Sequence, residues 1–477
     1  MYKFRIHSGI GLLSACLVIA SCKVPAVMPT AGNTVPTSFG NTGDSTNNIS
    51  TIEWRKFFTD PNLVSLLDTA VKNNQELMVT LQEIEIARND IRSRHAALLP
   101  VVTARAGAGV EKVGRYTSQG AGDASTEITP GKEMPDPLGD YVIGVNANWE
   151  IDIWKKLHNA KKAAVARYLS SIEGKNFVLT NLVAEVANSY YELLALDNQL
   201  VIVKQNIDLQ KSALEIVKIQ KEATRATELA VQKFEAEVLN SQSLEFDIRQ
   251  KIKETENRIN FLLGRYPQEI PRDKGNFLDA LPPQVNTGIP SQLMANRPDI
   301  KKAELDLAAA KLDIKVARAE FYPSFGISAG LGFQAFKPSY LFKMPESLLY
   351  SLAGDLAGPL INRNAIKAEF NSANARQLQA MYNYERTILN AYFEVSNQLS
   401  NISNLEQSYS LKSKQVDALT RSINISNDLF KSARADYFEV LMTQRDALEK
   451  KLELIETKKE QLNAVVNIYR DLGGGWK

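Results

Sequence analysis

Tyr141-Val142-Ile143-Gly144-Val145-Asn146-Ala147-Asn148-Trp149-Glu150-Ile151-Asp152 reads in period two. Tyr141, Ile143, Val145, Ala147, Trp149 and Ile151 share one face, and Val142, Gly144, Asn146, Asn148, Glu150 and Asp152 share the other. Successive side chains of a strand point to opposite sides, so this stretch predicts a strand with one apolar and one largely polar face. Phe325, Ile327, Ala329, Leu331 and Phe333 alternate in the same way with Ser324, Gly326, Ser328, Gly330 and Gly332. Val101 to Val113 and Leu348 to Leu360 read as two further strands of less regular pattern. A tilted membrane-spanning strand needs about 9–11 residues, and all four are long enough. A soluble antiparallel sheet with one wet face gives the same alternation, so the pattern leaves both readings open. Number adds a constraint. Four strands cannot close a barrel, and an open sheet in lipid leaves unpaired edges. A membrane role therefore needs several copies, and three would supply twelve strands. The polar or turn-rich loops Gly114–Gly139 and Gln334–Ser347 would be the exterior tips.

On the other side of these hairpins the period changes. Residues 156–222 and 364–432 contain no proline and no glycine except Gly174. Apolar residues recur at helical spacing, as in Leu182, Val186, Leu193, Leu196, Leu200 and Val203. At 1.5 Å per residue each segment would make a helix about 100 Å long. Return helices are expected over about 228–263 and 437–472. Sustained stripes with abundant charge argue coiled-coil packing; whether the bundle is hollow or filled is left open.

The chain is a duplication. At an offset of 223, Leu77, Glu83, Ala87 and Pro100 fall on Ile300, Asp306, Ala310 and Pro323. At an offset of 209, Arg225-Ala226-Thr227 falls on Arg434-Ala435-Asp436, and Leu263-Gly264 on Leu472-Gly473. The expected organisation is a signal segment over 1–21, a lipid anchor and extended tether over 22–58, a first repeat over 59–265, a proline-rich linker over 266–290 and a second repeat over 291–477.

The N-terminus indicates export. Lys3 and Arg5 precede a short apolar stretch from Ile10 to Ala20, too short to span a bilayer as a helix. It ends in Ile19-Ala20-Ser21-Cys22, which resembles a bacterial lipoprotein signal, and this makes Cys22 the expected lipid attachment site. Cys16 would leave with the signal, so the mature chain would have no disulfide and no thiol nucleophile. No apolar run of 18 residues follows Cys22, so any membrane span must be built from strands.

Composition excludes other classes. A net charge of +2 with 23% charged residues gives no basic face for nucleic acid. His7 lies in the signal, His95 and His158 are isolated, and no Cys/His cluster has metal spacing. GxSxG and P-loop elements are missing. We therefore expect no enzyme, no catalytic residues, no metal and no cofactor other than the lipid on Cys22.

Three words, Trp149-Glu150-Ile151-Asp152-Ile153-Trp154, Asn296-Arg297-Pro298-Asp299-Ile300 and Tyr469-Arg470-Asp471-Leu472-Gly473-Gly474-Gly475-Trp476, occur in this order. With Ala435-Asp436-Tyr437-Phe438-Glu439-Val440-Leu441 and Gly358-Pro359-Leu360-Ile361, they give the chain a resemblance to the TolC-like outer-membrane efflux channels. The resemblance is in particular to their lipid-anchored branch, which serves resistance-nodulation-division pumps. The resemblance covers nearly the whole mature chain. It implies a mainly α fold of the α+β class: a trimer with a twelve-stranded barrel in the outer membrane and a long periplasmic α-helical barrel. It implies an exit duct for small molecules such as drugs, with a periplasmic adaptor and an inner-membrane pump as partners. It also places a gate at the periplasmic tip, on Arg225, Thr227, Arg434, Asp436 and Tyr437, where an arginine could pair with Asp436. The chain departs from the family in three stretches where a glycine is expected. Ala223-Thr224-Arg225 and Ser432-Ala433-Arg434 stand where a glycine is usual before the helical turn, and Trp154-Lys155-Lys156 where Trp-Gly-Arg is common. An exit channel for type I protein secretion shares the fold, and a periplasmic coiled-coil lipoprotein without a pore is the alternative of another class.

Overall fold

The computed structural model describes residues 48–273, 287–358, 363–432 and 434–477, with Pro36, Ser38, Phe39, Gly275, Phe277 and Leu278. The expected signal segment, Cys22, most of the arm behind it, Pro282, Pro283, the Pro359-Leu360-Ile361 word and Ala433 lie outside the described residues.

The principal elements come in the expected order. α1 (Pro61–Asn73) and α2 (Gln75–Ala96) lead into β1 (Val101–Glu111), which returns as β2 (Leu138–Ile151). The 67-residue α3 (Lys156–Glu222) and its return α4 (Glu228–Leu262) complete the first repeat. The second consists of α5 (Pro298–Ala319), β3 (Ser324–Ala335), β4 (Leu348–Ala357), the 68-residue α6 (Asn364–Lys431) and α7 (Tyr437–Asp471). Pro100 and Pro323 follow α2 and α5, as expected of a residue that disfavours helix before it.

The chain divides into two compact units. One holds Glu85–Tyr168 and Leu305–Tyr382, and with them a four-stranded sheet of order β1-β2-β3-β4, antiparallel throughout. Register decides which side chains share a face, because directly paired residues point the same way. Val102 pairs with Ala147, Ala106 with Ile143, Ile143 with Phe333, and Leu331 with Tyr350. Val102, Ala104, Ala106, Ala108 and Val110 therefore extend the apolar face of β2, and Leu348, Tyr350, Leu352 and Leu356 extend that of β3. The outer strands are of less regular pattern, yet the register makes the apolar face continuous across all four. The opposite face carries Thr103, Arg105, Asn146, Asn148, Ser328, Ser351 and Asp355, with glycines between them.

The first loop is also more ordered than its turn-rich composition suggested. It contains a helix, Ser118–Ser125, whose cap Thr117 accepts from the Gly120 N–H, and a small hairpin of Glu127–Thr129 with Lys132–Glu133.

The other unit holds Gly32–Ile84, Leu169–Glu304 and Asn383–Lys477, and contains the largest apolar core. Leu182, Val186, Leu193, Leu196 and Val203 of the α3 stripe are buried and Leu200 is half-buried. The Tyr469 ring stacks on Phe57 at 4.0 Å, and its hydroxyl donates to the Ile52 carbonyl at 2.6 Å. The extended tether expected to reach residue 58 is therefore shorter. From Ile49 onward it is folded, with Trp54, Phe57 and Phe58 in the core, because three large aromatic rings gain more from burial than an extended arm allows. In the described part of the expected linker, Arg272, its side chain 4% exposed, donates to Asp197 at 2.5 Å and to Glu256 at 2.8 Å.

Candidate functional site

Three places carry the candidate chemistry: the sheet, the closure of each repeat, and the turns between long and short helices.

The sheet exposes apolar side chains on its edge strands as well as its centre. Val102 is 64% exposed, Val110 72%, Tyr350 76% and Leu352 79%. β1 and β4 each have one edge without a partner strand among the described residues. Trp149 Nε1 donates to the Leu98 carbonyl at 2.9 Å, and Trp154 Nε1 to the Pro323 carbonyl at 2.7 Å, with its ring stacked on Tyr322 at 4.7 Å. These rings gather at the helix end of the sheet, while Tyr141, Phe333 and Phe342 sit at the loop end, the last two in edge contact at 5.6 Å. Beyond Trp154 the chain turns into α3. There Asp152 accepts the Leu157 and His158 N–H groups at 3.0 and 2.8 Å and the His158 ring at 2.6 Å. Burial opposes its charge, but these donors outweigh it and hold the Asp152 carboxyl below its ordinary range.

The family words meet where the repeats close. Asn74 Nδ2 donates to the Leu262 carbonyl at 2.9 Å, and Arg297 Nη1 to the Asp471 carbonyl at 2.8 Å. These residues stand at equivalent positions of the two repeats. Gly264 and Gly473 follow, with φ of +65° and +90°. A Cβ would lie 2.3 Å from the Asn73 carbonyl oxygen in one case and 2.6 Å from the Asn296 carbonyl in the other. Trp476 Nε1 then donates to the Asn296 carbonyl at 3.2 Å. For Arg297, burial works against the charge, but Asp299 and Glu394 more than offset it and raise the guanidinium above its ordinary range.

The turns are equivalent too. The Arg225 N–H donates to the Gln220 carbonyl and the Arg434 N–H to the Leu429 carbonyl, both at 2.8 Å. Thr227 caps α4 by accepting from the Ala230 N–H at 3.2 Å. Asp436 holds the corresponding cap position of α7 without a side-chain cap bond. Arg225, Thr227, Arg434 and Asp436 are exposed, and Tyr437 is half-buried against the cluster that includes Phe234, Val440 and Leu441. This cluster draws on both hairpins and so brings the two turns to one end of their unit. Among the described residues Asp436 forms no ion pair with either arginine within the chain. Lys221 instead pairs with Glu228 and lowers its carboxyl.

Thr224 and Lys155, both with φ of +59°, are the two non-glycine residues in left-handed conformation among the described residues. They lie in two of the three stretches where the resemblance leads one to expect a glycine. A Cβ there costs about 1–2 kcal/mol, most for a β-branched residue. Glycine would relieve this while adding unfolded-state entropy worth about 0.5–1 kcal/mol. Thr224→Gly should thus gain about 1 kcal/mol and Lys155→Gly somewhat less, read as a raised thermal midpoint in detergent.

Among the described residues no group of His, Cys, Asp and Glu could hold a metal ion, and no helix is long and apolar enough to cross a membrane. What sequence reading missed at the site were the apolar positions of β1 and β4. In β1 the signal was an alternation partly written in alanine, and in β4 it was interrupted by Leu349 and Ala353 on the polar face.

A family profile described as outer membrane efflux protein matches residues 66–265 and 289–474. The pyoverdine export outer membrane protein OpmQ of Pseudomonas aeruginosa is 28% identical over 469 residues, covering 98% of this chain and 97% of that protein. The probable outer membrane lipoprotein SilC of Salmonella typhimurium is 26% identical over 486 residues, the full length of both. Among solved structures, the open state of the Neisseria gonorrhoeae MtrE outer membrane channel is similar with a TM-score of 0.82 at 22% identity, covering 95% of this chain and 98% of that one.

Proposed function

The chain belongs to the outer membrane efflux protein family, and on that premise we propose that three copies of it close a single barrel. It is a channel subunit, the exit duct of a tripartite efflux system, and does no chemistry of its own. The observation that carries the trimer is the sheet: one apolar face across four strands, with unpaired edges on an 11-residue and a 10-residue strand. In lipid an unpaired backbone group costs several kcal/mol. β4 of one copy pairing antiparallel with β1 of the next removes every edge, and three copies give twelve strands. Exposed Leu239, Phe246, Leu389, Phe393 and Leu411 on α4 and α6 supply apolar helix surface for the same neighbours.

Cys22 carries covalent lipid in this reading. Several acyl chains bind firmly, since each buried CH₂ contributes about 0.8 kcal/mol. The partners are a periplasmic adaptor and a resistance-nodulation-division pump, and the cargo is small molecules such as drugs. Loss of a secreted protein on deletion, with small-molecule tolerance unchanged, would point to type I secretion instead. The experiment is purification from outer-membrane fractions, wild type beside Cys22→Ala. We expect a lipidated, heat-modifiable, conducting trimer, and a Cys22→Ala variant that is exported without acylation. A monomer soluble in the periplasm would sink the channel reading.

The gate is proposed at the two turns. Three-fold symmetry makes Asp436 a ring of carboxylates that repel unless paired, and Arg225 or Arg434 of an adjacent copy can pair with it. Asp436→Asn should raise conductance of the resting channel and antibiotic permeability; unchanged values would remove Asp436 from the gate.

A further inference from the structure

The net charge of +2 conceals an uneven distribution about the sheet. In the twelve residues adjoining each strand on its helix side (89–100, 152–163, 312–323 and 358–369) there are ten Lys and Arg against five Asp and Glu. His95 and His158 lie in the same segments. The loops at the other end, 112–137 and 336–347, carry five of each sign.

The five acids at the helix end are largely committed. Asp90 is held by Arg94 at 3.2 Å, Asp313 by Arg167, Glu369 by Arg376 at 2.9 Å, and Asp152 by the start of α3. This leaves Lys155, Lys162, Lys315, Arg318 and Lys367 exposed and without an acidic partner among the described residues. The apolar face runs straight into this belt. Ile153 and Trp154 are 52% and 45% exposed where β2 ends, and exposed Lys155 follows them. Leu99 is exposed at the start of β1, one turn beyond Arg94 and His95. Apolar and aromatic side chains followed at once by lysines are what a membrane interface selects: rings at the headgroup level and cations beyond, facing phosphate.

We propose that this basic belt binds the headgroups of anionic phospholipids in the membrane leaflet on the helical side, so that the assembled channel carries a shell enriched in such lipids. The proposal rests on the sheet being the membrane-spanning part. In the trimer the belt is threefold, and its attraction falls within a Debye length, so salt weakens it.

The test uses the full-length protein reconstituted in phosphatidylcholine vesicles containing spin-labelled phosphatidylglycerol or, separately, spin-labelled phosphatidylcholine. The ratio of bound to bulk label is read for each lipid. At low salt the wild type should prefer phosphatidylglycerol several-fold, and high salt should bring the preference towards one. A variant with Lys155, Lys162, Lys315, Arg318 and Lys367 all changed to Gln should lose the preference while keeping trimer and conductance. A wild-type ratio near one, or one indifferent to salt, overturns the proposal even if the variant fails to assemble. So does a variant whose cation-to-anion permeability shifts while lipid preference stays, because the belt would then face the pore. Failure of the wild type to float with either vesicle would instead count against the membrane reading itself.

Discussion

Arg297→Ala should cost about 3–5 kcal/mol, the usual penalty for removing one partner of a buried ion pair. Arg297 is 6% exposed. Its guanidinium reaches Asp299 through Nε and Nη2 at 3.0 and 2.7 Å, Glu394 at 2.8 Å and the Asp471 carbonyl at 2.8 Å. Alanine would leave two carboxylates facing each other and a helix-terminal carbonyl without its donor. Arg297→Lys should recover only part of the loss, because a point charge cannot reproduce the planar fork that meets Asp299 twice. The informative comparison is Asn74→Ala. Asn74 makes the equivalent bond to Leu262 and also caps α2 by accepting the Leu77 N–H at 3.0 Å. It is neutral, so its loss should cost about 1–2 kcal/mol. Thermal midpoints in detergent give the order. Equal effects would mean that the repeats are closed by shape alone and that the charge network around Arg297 contributes nothing.

That network also marks the limit of what the sequence discloses. The long helices were legible because a helix of this length tolerates almost no proline or glycine, and α3 and α6 contain none apart from Gly174; their C-terminal ends carry no such mark, since the next glycines are Gly264 and Gly473. The duplication was legible because it is a relation between residues. Its meaning was not: that Asn74 and Arg297 do one job requires knowing that residues 188 and 174 positions away lie beside them. The sheet was legible at β2 and β3, where large and polar residues alternate. In β1 alanine fills the apolar face, and in β4 Leu349 and Ala353 lie on the polar one, so only register reveals the pattern. At the turns, Arg225 and Arg434 could be matched by offset alone. The left-handed backbone at Thr224 could not, since nothing about threonine signals it.

The sharpest test of the sheet is a single methyl group at its central seam. Gly144 and Gly332 face each other directly where β2 meets β3, the one pairing that joins the two repeats within the sheet. A Cβ at Gly332 would lie 2.5 Å from the Ile143 carbonyl oxygen and 2.8 Å from the Gly144 Cα. Both are backbone atoms of β2 and cannot move without disturbing the ladder. Two residues away on the same strand and face, a Cβ at Gly330 would meet Ser351 Oγ at 2.8 Å and Asn146 Oδ1 at 3.0 Å, which are side-chain ends free to rotate. Overpacking costs about 1–3 kcal/mol, or about 5- to 150-fold in an equilibrium. Gly332→Ala should therefore deplete heat-modifiable trimer in outer-membrane fractions by at least about fivefold, whereas Gly330→Ala stays near wild type. The pair separates two accounts of the glycine-rich polar face. If only room for cargo mattered, the two substitutions would leave assembly alike and differ at most in conductance. A large difference in assembly means that β2 and β3 need their close approach, so the polar face is glycine-rich first because the strands must meet there.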